Sequence, residues 1–362
     1  MSVNINFNAP VYIIAQCGEN VNPCGGEISF GGAEKKLTKW AEHKQISAKI
    51  AAKLEQVGYK RRAERMRECS DTIEYKWCED CNGLVVRRAN LCRDRFCSVC
   101  QWRLSLQRYA TMQRIIDSIG NGYPEASFSL ITLTVKNCKA AELAKTLEKM
   151  SAAWHLVCNQ VRVKPFLYGW AKSVELTYNK TTQELHPHMH VLIMWADEAA
   201  DEHAKVLIDY WIKAAAKKGL TADIKAQHAA EVQTKEGQTF EGAVLETFKY
   251  AVKSKEIQYM PQDIFAEVVR QWANKRLVAF GGLIKKYAKL TEADSMEEVN
   301  DEDLKIDVCR CCGSTAVHDL VYKWAFGEKR YKPLIFPRNG NTGGVTPNVK
   351  KERTETEERE KE

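Results

Sequence analysis

The sequence predicts an α+β protein: a central antiparallel sheet flanked by helices, preceded by a helical, cysteine-rich module. Three observations predict it. Residues 128–135, 168–178 and 188–195 are β-branched or alternate in polarity, as strands do. The polar stretch 179–185 joins the last two runs as a hairpin. Around them, apolar residues recur at the three-to-four spacing of a helix.

Taken in order, residues 1–34 are rich in Asn and Gly and read as irregular. From residue 35, Leu37, Ile46, Ile50, Leu54 and Val57 mark a helix that Gly58 ends. A basic helix follows at 59–68. Six cysteines fall within 69–100, and 102–119 reads as a helix closed by Gly120 and Gly122. The strand at 128–135 leads to a helix at 140–163. On the strand at 168–178, Val174, Leu176 and Tyr178 share one face and Ser173, Glu175 and Thr177 the other. Further helices are expected at 198–218, 241–255 and 261–274, with a strand at 223–232. This gives five segments: 1–34 irregular, 35–124 a basic DNA-binding zinc module, 125–290 the sheet domain, 291–336 a cysteine-containing segment, and 337–362 a disordered charged tail.

The chain has 362 residues, a formal charge of +7 and 13 cysteines. Lys60, Arg61, Arg62, Arg65 and Arg67 cluster, and Arg88, Arg93, Arg95 and Arg103 follow, so the N-terminal half suits a polyanion. There is no run of about eighteen apolar residues, which excludes a membrane span. No basic segment precedes an apolar run at the N-terminus, so no signal peptide is expected. Many cysteines without export point to reduced thiols that bind metal, and to the cytoplasm.

The chemistry concentrates in His186-Pro187-His188-Met189-His190. Strand alternation puts His188 and His190 on one face and Met189 on the other. Two imidazoles on a rigid strand are half of a metal site. With one carboxylate they suit Mn²⁺ or Mg²⁺, which keep positions open for substrate oxygens. Glu175, on the polar face of the paired strand, is the expected carboxylate. His186 is the alternative third ligand; Pro187 favours a strand's first residue, which would leave His186 outside the sheet. Farther along, Glu246, Tyr250 and Lys253 share one helical face. Alone they read as an ordinary exposed helix. Beside a metal site, Tyr250 becomes a nucleophile, with Lys253 favouring its phenolate and Glu246 a base for water.

Together these motifs resemble the plasmid rolling-circle replication initiators of the HUH endonuclease superfamily, in the branch that pairs one Tyr with a Glu. Residues 130–134 (LITLT) resemble its first strand motif, 186–190 its metal motif, and Glu246, Tyr250 and Lys253 its catalytic motif. The resemblance covers roughly 60–290. It implies an HUH-endonuclease fold, nicking of plasmid origin DNA at a single-stranded or cruciform site, a 5′-phosphotyrosine on Tyr250 and a 3′-OH primer. It also implies a cation on His188 and His190, strand termination through Glu246, and a host helicase and polymerase as partners. Tyr259 does not fit the one-Tyr spacing and is read as structural.

The cysteines add a second chemistry. Cys78 and Cys81, then Cys97 and Cys100, form two CxxC pairs, the pattern of a structural Zn²⁺ site with four thiolates. Cys69 and Cys92 are alternative ligands. Residues 92–100 resemble a cysteine cluster upstream of the catalytic domain in related initiators. Arg93, Arg95 and Arg103 are candidate phosphate contacts, and Trp102 either stacks on a base or packs. Cys309 and Cys312 form a further knuckle whose remaining ligands would be Cys311 and His318 or partners elsewhere. Two other functions stay open: an HUH transposase or mobilisation relaxase, and a non-catalytic zinc-module DNA-binding regulator.

Overall fold

Two antiparallel sheets organise the chain: a five-stranded one that carries the histidine run, and a four-stranded one built from both ends of the described sequence. The computed structural model describes residues 31–81, 83–120, 122–232, 247, 254–273, 275–295, 308–309 and 312–335. The expected disordered tail and most of the expected helix 241–255 lie outside them.

Helices α1 (Gly31–Gln56) and α2 (Lys60–Glu68) open the structure, followed by a hairpin of β1 (Thr72–Cys78) and β2 (Leu84–Ala89) and by α3 (Ser98–Gly120). Then come β3 (Phe128–Thr134), α4 (Leu143–Cys158), β4 (Leu167–Asn179), β5 (Glu184–Trp195), α5 (Ala200–Lys217) and β6 (His228–Glu231). Short α6 (Ser254–Tyr259), α7 (Gln262–Trp272), β7 (Val278–Gly281), α8 (Gly282–Ser295), β8 (Val317–Ala325) and β9 (Arg330–Ile335) complete it.

The five-stranded sheet has the order β6-β3-β5-β4-β7, every pair antiparallel. Alternation sorts its two faces. Ile131, Leu133, Val174, Leu176, Met189, Val191 and Ile193 join Trp154 of α4 and Trp211 of α5 in one buried cluster. On the other face, Leu130, Ala171, Leu192 and Met194 pack under Met112 and Ile115 of α3 and Ile284 and Ala288 of α8. His190 and His188 continue this second face beyond the helices. Trp195, Trp211 and Trp272 are fully buried, and truncating any of them to alanine costs about 3–5 kcal/mol. β7 turns directly into α8 through Gly282, at φ +58°. A Cβ there would lie 2.1 Å from the Tyr168 carbonyl, so only glycine lets the helix close on β4.

The four-stranded sheet has the order β2-β1-β8-β9. Residues 317–335, expected in a separate cysteine-containing segment, therefore share a sheet with residues 72–89, and Cys78 pairs with Val317. Strand pairing is a long-range event that neither strand announces locally. The buried cluster that holds Trp40, Ile50, Ile73 and Tyr75 also holds the first face of the five-stranded sheet, so both sheets share a core. Polar clamps hold α1 to its neighbours. The Lys44 ammonium is buried and donates to the carbonyls of Arg67 and Cys69, each at 2.6 Å, and to Asp71. Lys53 on α1 donates to the Ile257 carbonyl at 2.7 Å and to that of Met260, at the end of α6.

Candidate metal centre and thiolate clusters

Register places the histidine site. On β5, His188 faces Glu175 of β4 and Thr134 of β3, while His190 faces Ser173 and Thr132. All of these side chains fall on the polar end of one sheet face. Glu175 Oε2 lies 3.1 Å from His188 Nε2 and 2.8 Å from His190 Nε2. Glu175, His188 and His190 are buried, 3%, 8% and 6% exposed, and form a set of ligand atoms all within 4.8 Å of one another. The expected carboxylate thus meets the two expected imidazoles.

The outer ring nitrogens are held as well. His188 Nδ1 lies 3.4 Å from the His186 carbonyl, which would accept its proton when Nε2 is given to a cation. His190 Nδ1 lies 3.1 Å from the Thr132 hydroxyl. A metal-bound imidazole uses this arrangement: one nitrogen anchored by a neighbour, the other left as a lone pair. Two such nitrogens and a carboxylate oxygen, converging in a dry site, fit a hard divalent cation. Thr132 had no distinguishing signal in the sequence beyond its place on the LITLT strand.

His186 is not in that set. Contrary to the expectation from Pro187, it lies inside β5, opposite Thr177. The reason is local. Leu185 exchanges both backbone hydrogen bonds with Cys138, on the β3 side. Pro187, two residues on, faces the same way, and β3 ends at Thr134 opposite His188. The missing N–H therefore removes no bond from the β4–β5 ladder. His186 Nδ1 is instead 2.9 Å from Asn137 Oδ1, and burial, with His188 beside it, lowers its pKa.

Glu246, Tyr250 and Lys253 lie outside the described residues. Their neighbour Thr247 does not: it is helical and fully buried, and its carbonyl accepts a hydrogen bond from Ser173 Oγ. Ser173 is the residue paired with His190.

The cysteines converge differently from the expected set. Cys78 and Cys81 do not meet Cys97 and Cys100. Cys69, Cys92, Cys97 and Cys100 form one group, and Cys78, Cys81, Cys309 and Cys312 another. In the first, Cys69 is 3.6 Å from both Cys100 and Cys97, sulfur to sulfur. In the second, Cys78–Cys312 is 3.6 Å and Cys81–Cys309 is 3.5 Å. Thiolates about 2.3 Å from a tetrahedral zinc stand about 3.8 Å apart, so both quartets fit that ion and neither has disulfide spacing. In the first group backbone N–H groups point at sulfur, Arg93 to Cys100 at 3.2 Å and Cys92 to Cys69 at 3.4 Å, as suits thiolate. The physical reason for the exchange is the β1–β8 pairing, which carries Cys309 and Cys312 to the end of the hairpin that bears Cys78 and Cys81. The alternative ligands Cys69 and Cys92 then complete the other quartet.

Of the three arginines read as phosphate contacts, only Arg93 is exposed. Arg95 is directed inward, donating to the Trp272 carbonyl at 2.5 Å. The Arg103 guanidinium lies 5.3 Å from the Trp40 ring and 5.8 Å from that of Trp102, and its burial lowers its pKa. Trp102 packs, stacked on His43 at 4.8 Å. Among the described residues no helix is long and apolar enough to cross a membrane.

The fold and sites define a class: an α+β protein whose antiparallel sheet presents a carboxylate and two imidazoles beside a basic, thiol-clustered module. Comparison with known proteins gives that class a family. A profile described as replication protein matches residues 83–332. The Rep protein of Streptococcus pneumoniae serotype 2 is 28% identical over 263 residues, covering 71% of this chain and 81% of that protein. Those of Lentilactobacillus hilgardii (25% over 309 residues) and Lactiplantibacillus plantarum (26% over 313 residues) each match 82% of this chain and 95% of their own length. The chain belongs to the Rep family of replication proteins, with a role in plasmid replication. No solved structure matches it.

Proposed function

We propose that the chain initiates rolling-circle replication by nicking one strand of plasmid origin DNA, with Tyr250 as nucleophile. The observation that carries this reading is the convergence of Glu175, His188 and His190 on the sheet face where Ser173 holds Thr247, three residues from Tyr250 in sequence. A divalent cation such as Mn²⁺ or Mg²⁺, held by these three side chains, would supply charge withdrawal at the scissile phosphate.

The chain's own residues do the rest. The phenolic oxygen of Tyr250 attacks phosphorus, the bond from phosphorus to the 3′ oxygen breaks, and that oxygen leaves to take up a proton. The products are a 5′-phosphotyrosine and a 3′-OH primer. A phenol of ordinary pKa near 10 is a weak nucleophile, and Lys253 favours its ionised form. At termination Glu246 draws a proton from water, which releases the strand. Thr132 and the His186 carbonyl keep the imidazoles oriented, which matters because phosphoryl transfer depends mainly on positioning and charge neutralisation. Both thiolate quartets are structural Zn²⁺ sites, since four sulfurs leave no open position. Exposed Arg93 is a phosphate contact of the module. The host supplies helicase and polymerase, and the cytoplasm is the compartment.

The test incubates the protein with Mn²⁺ and a supercoiled plasmid carrying its own origin. The expected result is nicked plasmid with protein covalently attached, absent for Tyr250→Phe. Undiminished adduct from that variant would overturn the assignment; no nicking by the natural protein would favour a non-catalytic DNA-binding regulator. Strand transfer between unlinked target sites, without replication priming, would favour a transposase or relaxase.

A further inference from the structure

The ladder between β4 and β5 runs on past the histidines into an open cleft of about 380 Å³, lined by Asn137, Thr177, Tyr178, Asn179, His186 and Glu256. The cleft adjoins the candidate metal site. Thr177 and His186 form the pair two residues beyond Glu175 and His188, and the His186 and His188 rings are 5.4 Å apart. Its walls are polar and already directed: His186 is fixed by Asn137 at 2.9 Å, and the Tyr178 N–H donates to Glu256 at 2.7 Å.

Tyr259, which the sequence assigns to structure by spacing, stands one helical turn after Glu256 on α6 and is 62% exposed. The Lys180 ammonium sits 3.6 Å from its ring centroid. Single exposed apolar residues are common and need no explanation. This one combines an exposed aromatic ring, a cation over one of its faces and chain neighbours in the cleft wall: Glu256 one helical turn before Tyr259, and Asn179 next to Lys180.

We propose that Tyr259, Lys180 and the cleft form a subsite for one unpaired nucleotide of single-stranded DNA, next to the scissile phosphate. The base stacks on Tyr259 and turns its polar edge into the cleft, and Lys180 moves to its phosphate. Aromatic rings and backbone-tracking cations are the two elements of single-strand binding. A cleft of a few hundred Å³ accommodates a base, and only a base already out of its stack can enter. The Glu256 carboxylate repels phosphate and attracts an amino group, which assigns the base to the cleft and the phosphate to Lys180. The inference deepens the nicking reading and rests on it.

The experiment measures fluorescence anisotropy of a labelled single-stranded oligonucleotide of mixed sequence, and separately of a duplex, with no Mn²⁺ or Mg²⁺ added, so that no cleavage occurs and the thiolate sites keep their zinc. Tyr259→Ala is expected to weaken single-strand binding about tenfold or more, and Tyr259→Phe to bind within about twofold of the natural protein. Lys180→Ala should weaken binding and flatten its salt dependence by about one ion. Duplex affinity should not change, nor should the melting temperature, since Tyr259 is exposed. Unaltered single-strand binding by Tyr259→Ala would overturn the subsite. So would a Phe variant as weak as the Ala variant, which would make the hydroxyl the active group. Because binding is read without cleavage, failure of the natural protein to nick its origin plasmid would sink the nicking reading and leave this result untouched.

Discussion

Replacing Cys309 and Cys312 by serine removes two of the four thiols that meet at the end of β1. The magnitude follows from the loop a bound ion closes. Cys81 and Cys309 are 228 residues apart, and cross-linking a loop of that length in an otherwise open chain is worth about 5 kcal/mol of entropy. That is an upper limit, because β1 already pairs with β8 from Thr72 to Cys78. Once those strands are joined, the clasp closes only the short loop between Cys312 and Val317, worth about 2 kcal/mol by the same reckoning. The lower figure governs the folded sheet, so the double variant should lose about 2–3 kcal/mol, seen as a fall of about 1 M in the urea midpoint. Zinc released on unfolding and counted with a chromogenic chelator should drop from two ions per chain to one. Cys312 is exposed and Cys309 partly so, and the variant should still fold. Two zinc ions retained by the double variant, with unchanged stability, would refute the reasoning.

Three other outcomes are expected. His188→Ala, His190→Ala or Glu175→Ala should each weaken Mn²⁺ binding by at least tenfold in titration calorimetry and abolish nicking while duplex binding persists; Thr132→Val should weaken Mn²⁺ binding less. Tyr250→Phe should leave Mn²⁺ binding intact while removing the covalent adduct, which separates the nucleophile from the metal centre. Lys172 is 7% exposed, beside Met189 Sδ at 3.9 Å, and burial lowers its pKa from 10.5 to about 8. The unfolded chain holds that proton up to about pH 10.5 and the folded one only to about 8, so this group makes stability rise between those pH values. Lys172→Met should therefore stabilise the protein at pH 7 by up to about 3 kcal/mol and flatten its stability between pH 8 and 10.5, checked by urea unfolding at pH 7 and 9.5.

The histidine site was legible because strand alternation is a local rule. Once 168–178 and 188–195 are a hairpin, period two puts Glu175, His188 and His190 on one face without further information. The misjudged histidine shows the limit of that rule. Pro187 weakens a strand only where its N–H would have a partner, and the end of β3 at Thr134 decides that. The basic cluster was visible as composition, but composition does not say which way an arginine turns: Arg95 meets a backbone carbonyl of α7, and Arg103 lies between tryptophans of α1 and α3.

The cysteines mark the division most clearly. Their spacing alone was enough to announce candidate thiolate sites, because a CxxC turn can present two sulfurs to one ion whatever the surroundings. Which pairs converge was settled by the partner that β1 takes. That pairing brings residues 309 and 312 to residues 78 and 81 across most of the chain, and gives Cys97 and Cys100 to Cys69 and Cys92. Residue type and local period are encoded within a few positions and can be read there. Ligand sets and the burial of charged side chains depend on contacts between residues far apart in the chain, and these exist only after the two sheets have closed on their common core.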